Sequence, residues 1–143
     1  MCGGFAATAH ATSEGKFSLA LKAMPTLCMA VAAGCPNPSA GCVSVQQCSA
    51  SAQGQVFSTE PDRTKPGALL IKSGNSCLDI YSHGALDGAA LEVYGCDSAG
   101  EDNQRWRFDE ETGTINSFEV IQKHVPFLVT VCTKKPSGGN ATM

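Results

Sequence analysis

The sequence has few charged residues and no surplus of positive charge. Charged residues make up 16% of the 143 residues, and the formal net charge is −3. Proteins that bind nucleic acid or an anionic membrane surface usually carry a basic patch, because Lys and Arg neutralise phosphate groups. The composition therefore gives no basis for nucleic acid or an anionic membrane surface as a partner.

The sequence also lacks a long apolar run. A membrane-spanning helix needs about 18 to 20 consecutive apolar residues, and the most apolar segment, residues 17–34, is interrupted by Lys22 and Pro25. The first 16 residues have no basic start followed by an apolar core, so they make a poor signal peptide. We expect no membrane insertion, and we expect any export signal to have stood upstream of Met1 or to have been removed.

Signatures of catalysis and metal binding are missing as well. His10, His83 and His124 lie far apart and match neither the H-E-x-x-H pattern nor a catalytic triad. No two cysteines have the C-x-x-C spacing of zinc or thioredoxin-like sites. We therefore expect a protein that is not an enzyme and that has no metal and no cofactor.

Cysteine itself is abundant, with eight residues in the chain. An even number of cysteines in a Gly-rich chain, without metal-ligand spacing, is typical of disulfides formed in an oxidising compartment. Buried thiols in a reducing compartment are the alternative. We expect the protein in the extracellular space or in the lumen of an organelle.

Short strand-like segments separated by turn residues dominate the pattern. No segment has sustained helical periodicity, and strands at intervals of about 8 to 12 residues predict an all-β barrel or sandwich. Four such segments lie at residues 67–73, 76–82, 89–95 and 105–109.

The chain repeats itself at an interval of 48 to 49 residues. This interval separates Cys28 from Cys77, Cys48 from Cys96, and the tripeptide QVF from QRW. A third, weaker copy stops in the middle of its unit. The predicted organisation is an N-terminal extension at 1–16, repeats at about 17–66 and 67–115, and a truncated repeat at 116–143.

Residues 17–143 resemble the ricin B-type lectin domains, which are β-trefoils of three repeats with a Gln-x-Trp signature. The tripeptide at 104–106, preceded in register by Cys-x-Asp, an aromatic residue and a second cysteine, carries the resemblance. It implies a β-trefoil that is incomplete in its third repeat and that binds glycans without catalysis. It also implies one disulfide within each of the first two repeats, Cys28–Cys48 and Cys77–Cys96.

The resemblance implies one galactose-type site, in the second repeat. A pyranose offers an apolar face to an aromatic ring, and its hydroxyls need acceptors and donors. Asp79 would accept hydroxyl protons, Tyr94 would stack on the sugar, Asn103 would donate and accept, and Gln104 would support the site from behind. Glu92 stands where the family often has Gln, so two carboxylates would line the pocket, and their repulsion would either raise the pKa of one or attract a cation.

The other two repeats depart from this pattern. The first has Ala30 at the Asp position and Gln46 at the aromatic position, and the third has Thr130 and ends before the aromatic position. A single site implies weak binding, about millimolar or roughly 4 kcal/mol, so useful binding would need multivalency.

Four cysteines and one glycosylation motif remain. Cys35 and Cys42 flank a turn-rich loop, so a local bridge between them is a tentative prediction. Cys2 and Cys132 are left to pair with each other, to pair with a partner, or to stay free. Asn140 begins an Asn-Ala-Thr sequon, which predicts N-glycosylation there, although such a tripeptide also occurs by chance.

A structural role is the alternative to sugar binding. The third repeat lacks its second half, so a protein partner or a larger assembly would cover the open side, and the lectin fold would serve as an interaction module. An acid–base pair of Asp79 and Glu92 in a glycosidase is a weaker alternative, because the sequence shows no further carboxylate network.

Overall fold

The structure is a computed structural model that describes residues 2–4, 7–13, 15–21, 24–32, 41–81, 90–109, 111, 114–118, 130–132 and 139–142. The described residues form strands that connect into one sheet. The all-β prediction is therefore confirmed. The strands are β1 Cys2–Gly4, β2 Ala7–Ser13, β3 Lys16–Leu21, β4 Leu27–Ala32, β5 Gly41–Gln47, β6 Phe57–Pro61, β7 Leu69–Ser73, β8 Ser76–Ile80, β9 Leu91–Gly95, β10 Trp106–Asp109, β11 Thr114–Ser117, β12 Thr130–Cys132 and β13 Gly139–Thr142.

The strands fall into a wall and three hairpins, as in a β-trefoil. The wall runs from β3 through β6, β7 and β10 to β11, each strand antiparallel to the next. The hairpins are β4–β5, β8–β9 and β12–β13. Strand β5 pairs with both β9 and β13, so the three hairpins lie side by side.

The core lies between the wall and the hairpins. Trp106 and Phe57, the third residues of the two Gln-x-aromatic motifs, are 0% and 1% exposed. The indole Nε1 of Trp106 also donates to the backbone oxygen of Leu78 at 3.0 Å, which ties the wall to the second hairpin. The buried apolar core consists of Leu19, Leu21, Met29, Val43, Val45, Phe57, Ile71, Leu78, Ile80, Leu91, Val93, Trp106 and Ile115.

Both disulfides implied by the resemblance are present. Cys28 is bonded to Cys48, and Cys77 is bonded to Cys96. Each closes the base of one hairpin, β4–β5 and β8–β9 respectively. The pairing of the first two repeats is therefore confirmed.

The remaining cysteines are described only in part. Cys42 is disulfide-bonded, but Cys35 lies outside the described residues, so the bridge between them stays a prediction. The backbones of Cys2 and Cys132 stand opposite each other in the antiparallel pair β1–β12. This register brings the two leftover cysteines to neighbouring strands of one chain.

Part of the N-terminal segment belongs to the sheet. Strand β2 pairs with β3 from Ala7, opposite Leu21, to Ser13, opposite Lys16, with a register irregularity near its end. Strand β3 therefore has β2 on one side and β6 on the other, and an edge that would otherwise be open is covered by this chain itself. The domain boundaries at residues 16 and 116 stay predictions.

We expect that removing one hairpin disulfide destabilises the fold. In the loop-entropy model, a bridge closing about 20 residues contributes roughly 3 kcal/mol to the free energy of unfolding. The double variant Cys77→Ser, Cys96→Ser should lose about this amount in urea-induced unfolding. The matched variant Cys28→Ser, Cys48→Ser removes a bridge that closes a loop of nearly equal length, so it should lose a similar amount of stability. A loss below about 1 kcal/mol in both variants would contradict this prediction.

Candidate functional site

The β8–β9 hairpin places the two predicted carboxylates side by side. Asp79 and Glu92 are direct partners in the antiparallel register. Because successive side chains in a strand point to opposite faces, Leu78 and Val93 enter the core while these carboxylates lie on the other face. Both are largely buried, at 5% and 8% exposure.

Two amides from the 3-10 turn Asp102–Gln104 hold Asp79 in place. The Nδ2 of Asn103 donates to Oδ1 at 3.0 Å, and the Nε2 of Gln104 donates to Oδ2 at 2.6 Å. Both carboxylate oxygens therefore accept from a fixed amide, and this arrangement orients the group. The structure thus brings Asp79, Asn103 and Gln104 together as the sequence predicted.

Gln104 is itself fixed by the backbone around it. Its Nε2 also donates to the backbone oxygen of Gly95 at 3.0 Å, and its Oε1 accepts from the backbone N–H of Asp97 at 2.8 Å. A side chain with all these bonds and 2% exposure has a single orientation. Gln104 therefore supports Asp79 from behind.

The carbonyl oxygen of Asn103 has a different status. Asn103 is 6% exposed, and its Oδ1 has no hydrogen-bond partner in the described part of the chain. A buried acceptor without a partner costs roughly 1 to 3 kcal/mol, so a hydroxyl that gained access to it would form a favourable hydrogen bond.

Glu92 has a raised pKa. Burial of the carboxyl is the main cause, and the negative charge of Asp79 on the neighbouring strand adds to it. Glu92 therefore takes up a proton more readily than an isolated glutamate does, in the direction expected for two carboxylates that share one pocket.

Tyr94 lies beside this pair and presents its ring to solvent. It is two residues after Glu92 on β9, opposite Cys77, and is 43% exposed. An exposed aromatic ring next to a buried carboxylate supplies the apolar surface that the face of a pyranose needs.

Sequence reasoning missed a second tyrosine on the same hairpin. Tyr81 follows Asp79 by two residues and is 47% exposed. It lies at a 3-10 turn directly after β8, and its backbone N–H donates to the backbone oxygen of Ala90 at 3.0 Å, which adds one bond to the hairpin. The alternation of Cys77, Asp79 and Tyr81 in the sequence was the signal that could have found it.

A buried arginine braces the turn that carries the amides. Arg105 is 1% exposed, and its guanidinium forms ion pairs with Asp62 and with Asp97, the latter at 3.4 Å. It also donates to the backbone oxygens of Asp97 and Glu101 at 3.0 and 3.2 Å. No local spacing reveals this arrangement, because Asp62 lies in the connection between β6 and β7 and meets Arg105 only in the fold.

The pKa of Asp62 shows how strongly this charge is held. Burial alone would raise it, but hydrogen bonds from the hydroxyl and backbone of Thr64, from the backbone of Lys65, and the charge of Arg105 outweigh burial. The pKa of Asp62 is lowered from 3.8 to about 2. Asp62 therefore stays ionised at every pH well above about 2.

The first repeat has the same glutamine hydrogen bonds to the loop backbone but lacks the carboxylate. Gln55 accepts from the backbone N–H of Ser49 at 2.8 Å and donates to the backbone oxygen of Gln47 at 2.7 Å, as Gln104 does with Asp97 and Gly95. The register pairs Ala30 with Ser44 where the second repeat pairs Asp79 with Glu92. The carboxylate is therefore absent from an otherwise equivalent lobe.

Gly54 leaves the first repeat without an equivalent of the Asn103 amide. It is the middle residue of the 3-10 turn Gln53–Gln55, the place that Asn103 has in the second repeat. A Cβ at Gly54 would collide with the backbone oxygen of Val31. The backbone at Val31 lies too close to position 54 for a side chain to fit there.

In the third hairpin, the backbone register pairs Thr130 with Thr142.

His83 lies outside the described residues. Across the described ranges, no group of three or more His, Cys, Asp and Glu side chains has the arrangement of a metal site. Among the described residues, no helix has the length and the apolar character that a membrane crossing requires.

Comparison with known proteins gives three results. Residues 17–125 match the model of the ricin-type beta-trefoil lectin domain. A stretch of 58 residues, 41% of this chain, is 38% identical to the probable lipoprotein EnvE of Salmonella typhimurium and spans 28% of that protein. A solved structure described as a PSL1a-E64 complex aligns with a TM-score of 0.58 and 21% identity, over 72% of this chain and 39% of its own. The last result shows the fold alone.

We expect that replacing Asp62 changes how stability depends on pH. A lowered pKa contributes stability that is fully present above about pH 4 and is lost as the pH falls through about 2. Asp62→Asn leaves Arg105 buried without one counter-ion and should lower the free energy of unfolding by about 3 kcal/mol at pH 7. Its difference from wild type should shrink between pH 4 and pH 2.

Glu60→Gln is the matched control for this experiment. Glu60 is exposed, and its ion pair with Lys72 at 3.1 Å lies at the surface, so its loss should change stability by less than about 1 kcal/mol. Chemical denaturation from pH 2 to pH 7 measures both variants. A constant difference between Asp62→Asn and wild type over this range would show that the prediction is wrong.

Proposed function

The chain belongs to the ricin-type β-trefoil lectin domain family, and from that premise we propose that it binds a galactose-type sugar through one site in its second repeat. Domains of this family are typically carbohydrate-binding modules without catalysis. The site proposed here consists of Asp79, Glu92, Tyr94, Asn103 and Gln104.

One observation carries this proposal. Asp79 is held by two amide donors, and one of the two amides, on Asn103, keeps a buried carbonyl oxygen without a partner. Two adjacent sugar hydroxyls would meet this need, since one hydroxyl donates to Asp79 and the other donates to Asn103 Oδ1. If Asp79 and Asn103 were ordinary surface side chains, no neighbouring amide would hold them in one orientation.

The aromatic ring completes the recognition. Tyr94 stands on the face that carries Asp79 and is exposed, so the apolar side of a pyranose would rest on it while the hydroxyls reach the carboxylate. A sugar with hydroxyls along one edge and C–H groups on one face fits both needs. Galactose has this arrangement, which supports it as the ligand class.

A single site predicts weak binding by one molecule. The first repeat lacks the carboxylate and has no room at Gly54, which supports a monovalent protein with an affinity of about millimolar, or roughly 4 kcal/mol. Multivalent display would raise the effective affinity. The two hairpin disulfides support an extracellular or luminal location.

A role as the binding module of a longer protein is the second candidate. The aligned stretch spans 28% of the curated relative and 39% of the solved chain, which shows that proteins with such a segment contain much more. A protein partner at the third repeat and N-glycosylation at Asn140 remain predictions. Asn140 lies in β13, where its backbone stands opposite Ser44.

We expect Asp79→Ala to abolish glycan binding. The variant removes the acceptor and releases both amides, so affinity for any bound glycan should fall at least about tenfold, the effect of roughly 1.4 kcal/mol. A glycan array followed by titration calorimetry measures this loss. Glu60→Ala is the control, since it removes an exposed carboxylate elsewhere and should bind normally. If wild type and Asp79→Ala both ignore every glycan, the proposed function is wrong.

We expect Glu92→Gln to stabilise the protein at pH 7. Its raised pKa means that the ionised form is disfavoured in the fold, so this cost is present above the folded pKa and disappears as the pH falls through it. Removing a like charge directly across a strand pair should add up to about 1 kcal/mol to the free energy of unfolding. Thermal unfolding at pH 4 and pH 7 tests this, and a gain that is larger at pH 4 would contradict it.

A further inference from the structure

We propose that the carbohydrate site extends along the β8–β9 hairpin to Tyr81 and takes a glycan of at least two linked sugar rings, one on Tyr94 and the next on Tyr81. This inference rests on the proposed function, because it assigns a second subsite to the same face. It adds a residue that neither the family match nor the sequence pattern assigns to the site.

The two tyrosines lie at opposite ends of the β8–β9 hairpin. Moving along the hairpin, the cross-strand pairs on the face that carries the carboxylates are Cys77 with Tyr94 and Asp79 with Glu92. Tyr81 follows directly after β8, at a 3-10 turn, and its backbone N–H bonds to Ala90, the residue before β9. Along the hairpin, the buried carboxylate pair therefore lies between two exposed tyrosines.

Exposure distinguishes these tyrosines from core residues. The exposed large apolar residues of the described chain are Met24, Tyr81, Tyr94 and Phe108, and two of these four flank the carboxylate pair. A tyrosine that served only to fill the core would be buried. Tyr81 is instead 47% exposed, and Ala90 beside it is small and exposed, so no large side chain covers its ring from the partner strand.

The spacing matches two rings rather than one. Tyr81 and Tyr94 are separated by four residue steps along the hairpin and by one strand spacing, so their Cα atoms lie roughly 14 Å apart. A pyranose chair spans roughly 5 Å, about three single bonds of 1.5 Å. With side chains that stand roughly perpendicular to the sheet, the two tyrosine rings are about as far apart as their Cα atoms. One pyranose then does not span them, whereas two linked rings with van der Waals contact at each end do.

The chemistry of the second subsite differs from that of the first. Around Tyr94, the ring is combined with Asp79 and the amides, so a sugar is both stacked and hydrogen-bonded. Tyr81 offers an aromatic face and a hydroxyl that can donate or accept. The second ring is therefore held mainly by apolar contact, and the subsite adds affinity without strict selection among hexoses.

Calorimetric titration with galactose and with lactose, which is galactose linked to a second ring, tests the inference. Tyr81→Ala should lower the affinity for lactose about three- to tenfold and leave the affinity for galactose unchanged. Tyr94→Ala should lower both. Phe108→Ala, which removes an exposed ring from β10, should change neither, and Tyr81→Phe should restore binding of lactose.

The outcomes separate this inference from the proposed function. Equal affinities of Tyr81→Ala and wild type for lactose overturn the second subsite while leaving the galactose site intact. An equal loss for galactose and lactose overturns it as well, because Tyr81 then supports the first ring or the hairpin. Wild type that binds neither sugar refutes the proposed function, and the second subsite is refuted with it.

Discussion

The structure of the site depends on one side-chain amide, that of Gln104. Its nitrogen bonds to Asp79 on β8 and to the backbone at the end of β9, and its oxygen bonds to the backbone of Asp97. One planar group therefore joins both strands of the hairpin to the turn that follows. Without it, Asp79 would lose one of the two amides that orient its carboxylate, and, within the described residues, the loop after β9 would be held only by Arg105 and by the Cys77–Cys96 bond.

The same amide in the first repeat shows that this arrangement of the loop does not require a carboxylate. Gln55 forms the two backbone bonds but has Ala30 where Gln104 has Asp79, so within the described residues it ties the loop alone. The glutamine therefore has a structural role in both repeats, and the proposed recognition in the second repeat rests on Asp79 and Asn103. A Gln-x-aromatic motif alone predicts the fold, and only the additional carboxylate predicts a binding lobe.

Some features of the fold and of the site could be predicted from the sequence, and others could not. The offsets of 49 and 48 residues from Cys28 to Cys77 and from Cys48 to Cys96, together with the family resemblance, predicted the two disulfides, because each pair closes one repeat. The cross-strand contact of Asp79 with Glu92 depends on a hairpin register that the intervening turn sets. The pairing of Arg105 with Asp62 joins segments that no periodicity connects, and the close backbone approach at Gly54 is a property of the packed chain.

The strand pairs at the third hairpin also fix the direction in which the chain runs through this part of the fold. Thr130 has Gly4 as its partner on one side and Thr142 on the other, so these two residues lie two strand spacings apart, roughly 10 Å. Because β1 and β13 are both antiparallel to β12, they run in the same direction. The chain therefore enters β1 and leaves β13 at opposite ends of this ribbon, and β12 is the strand that joins them.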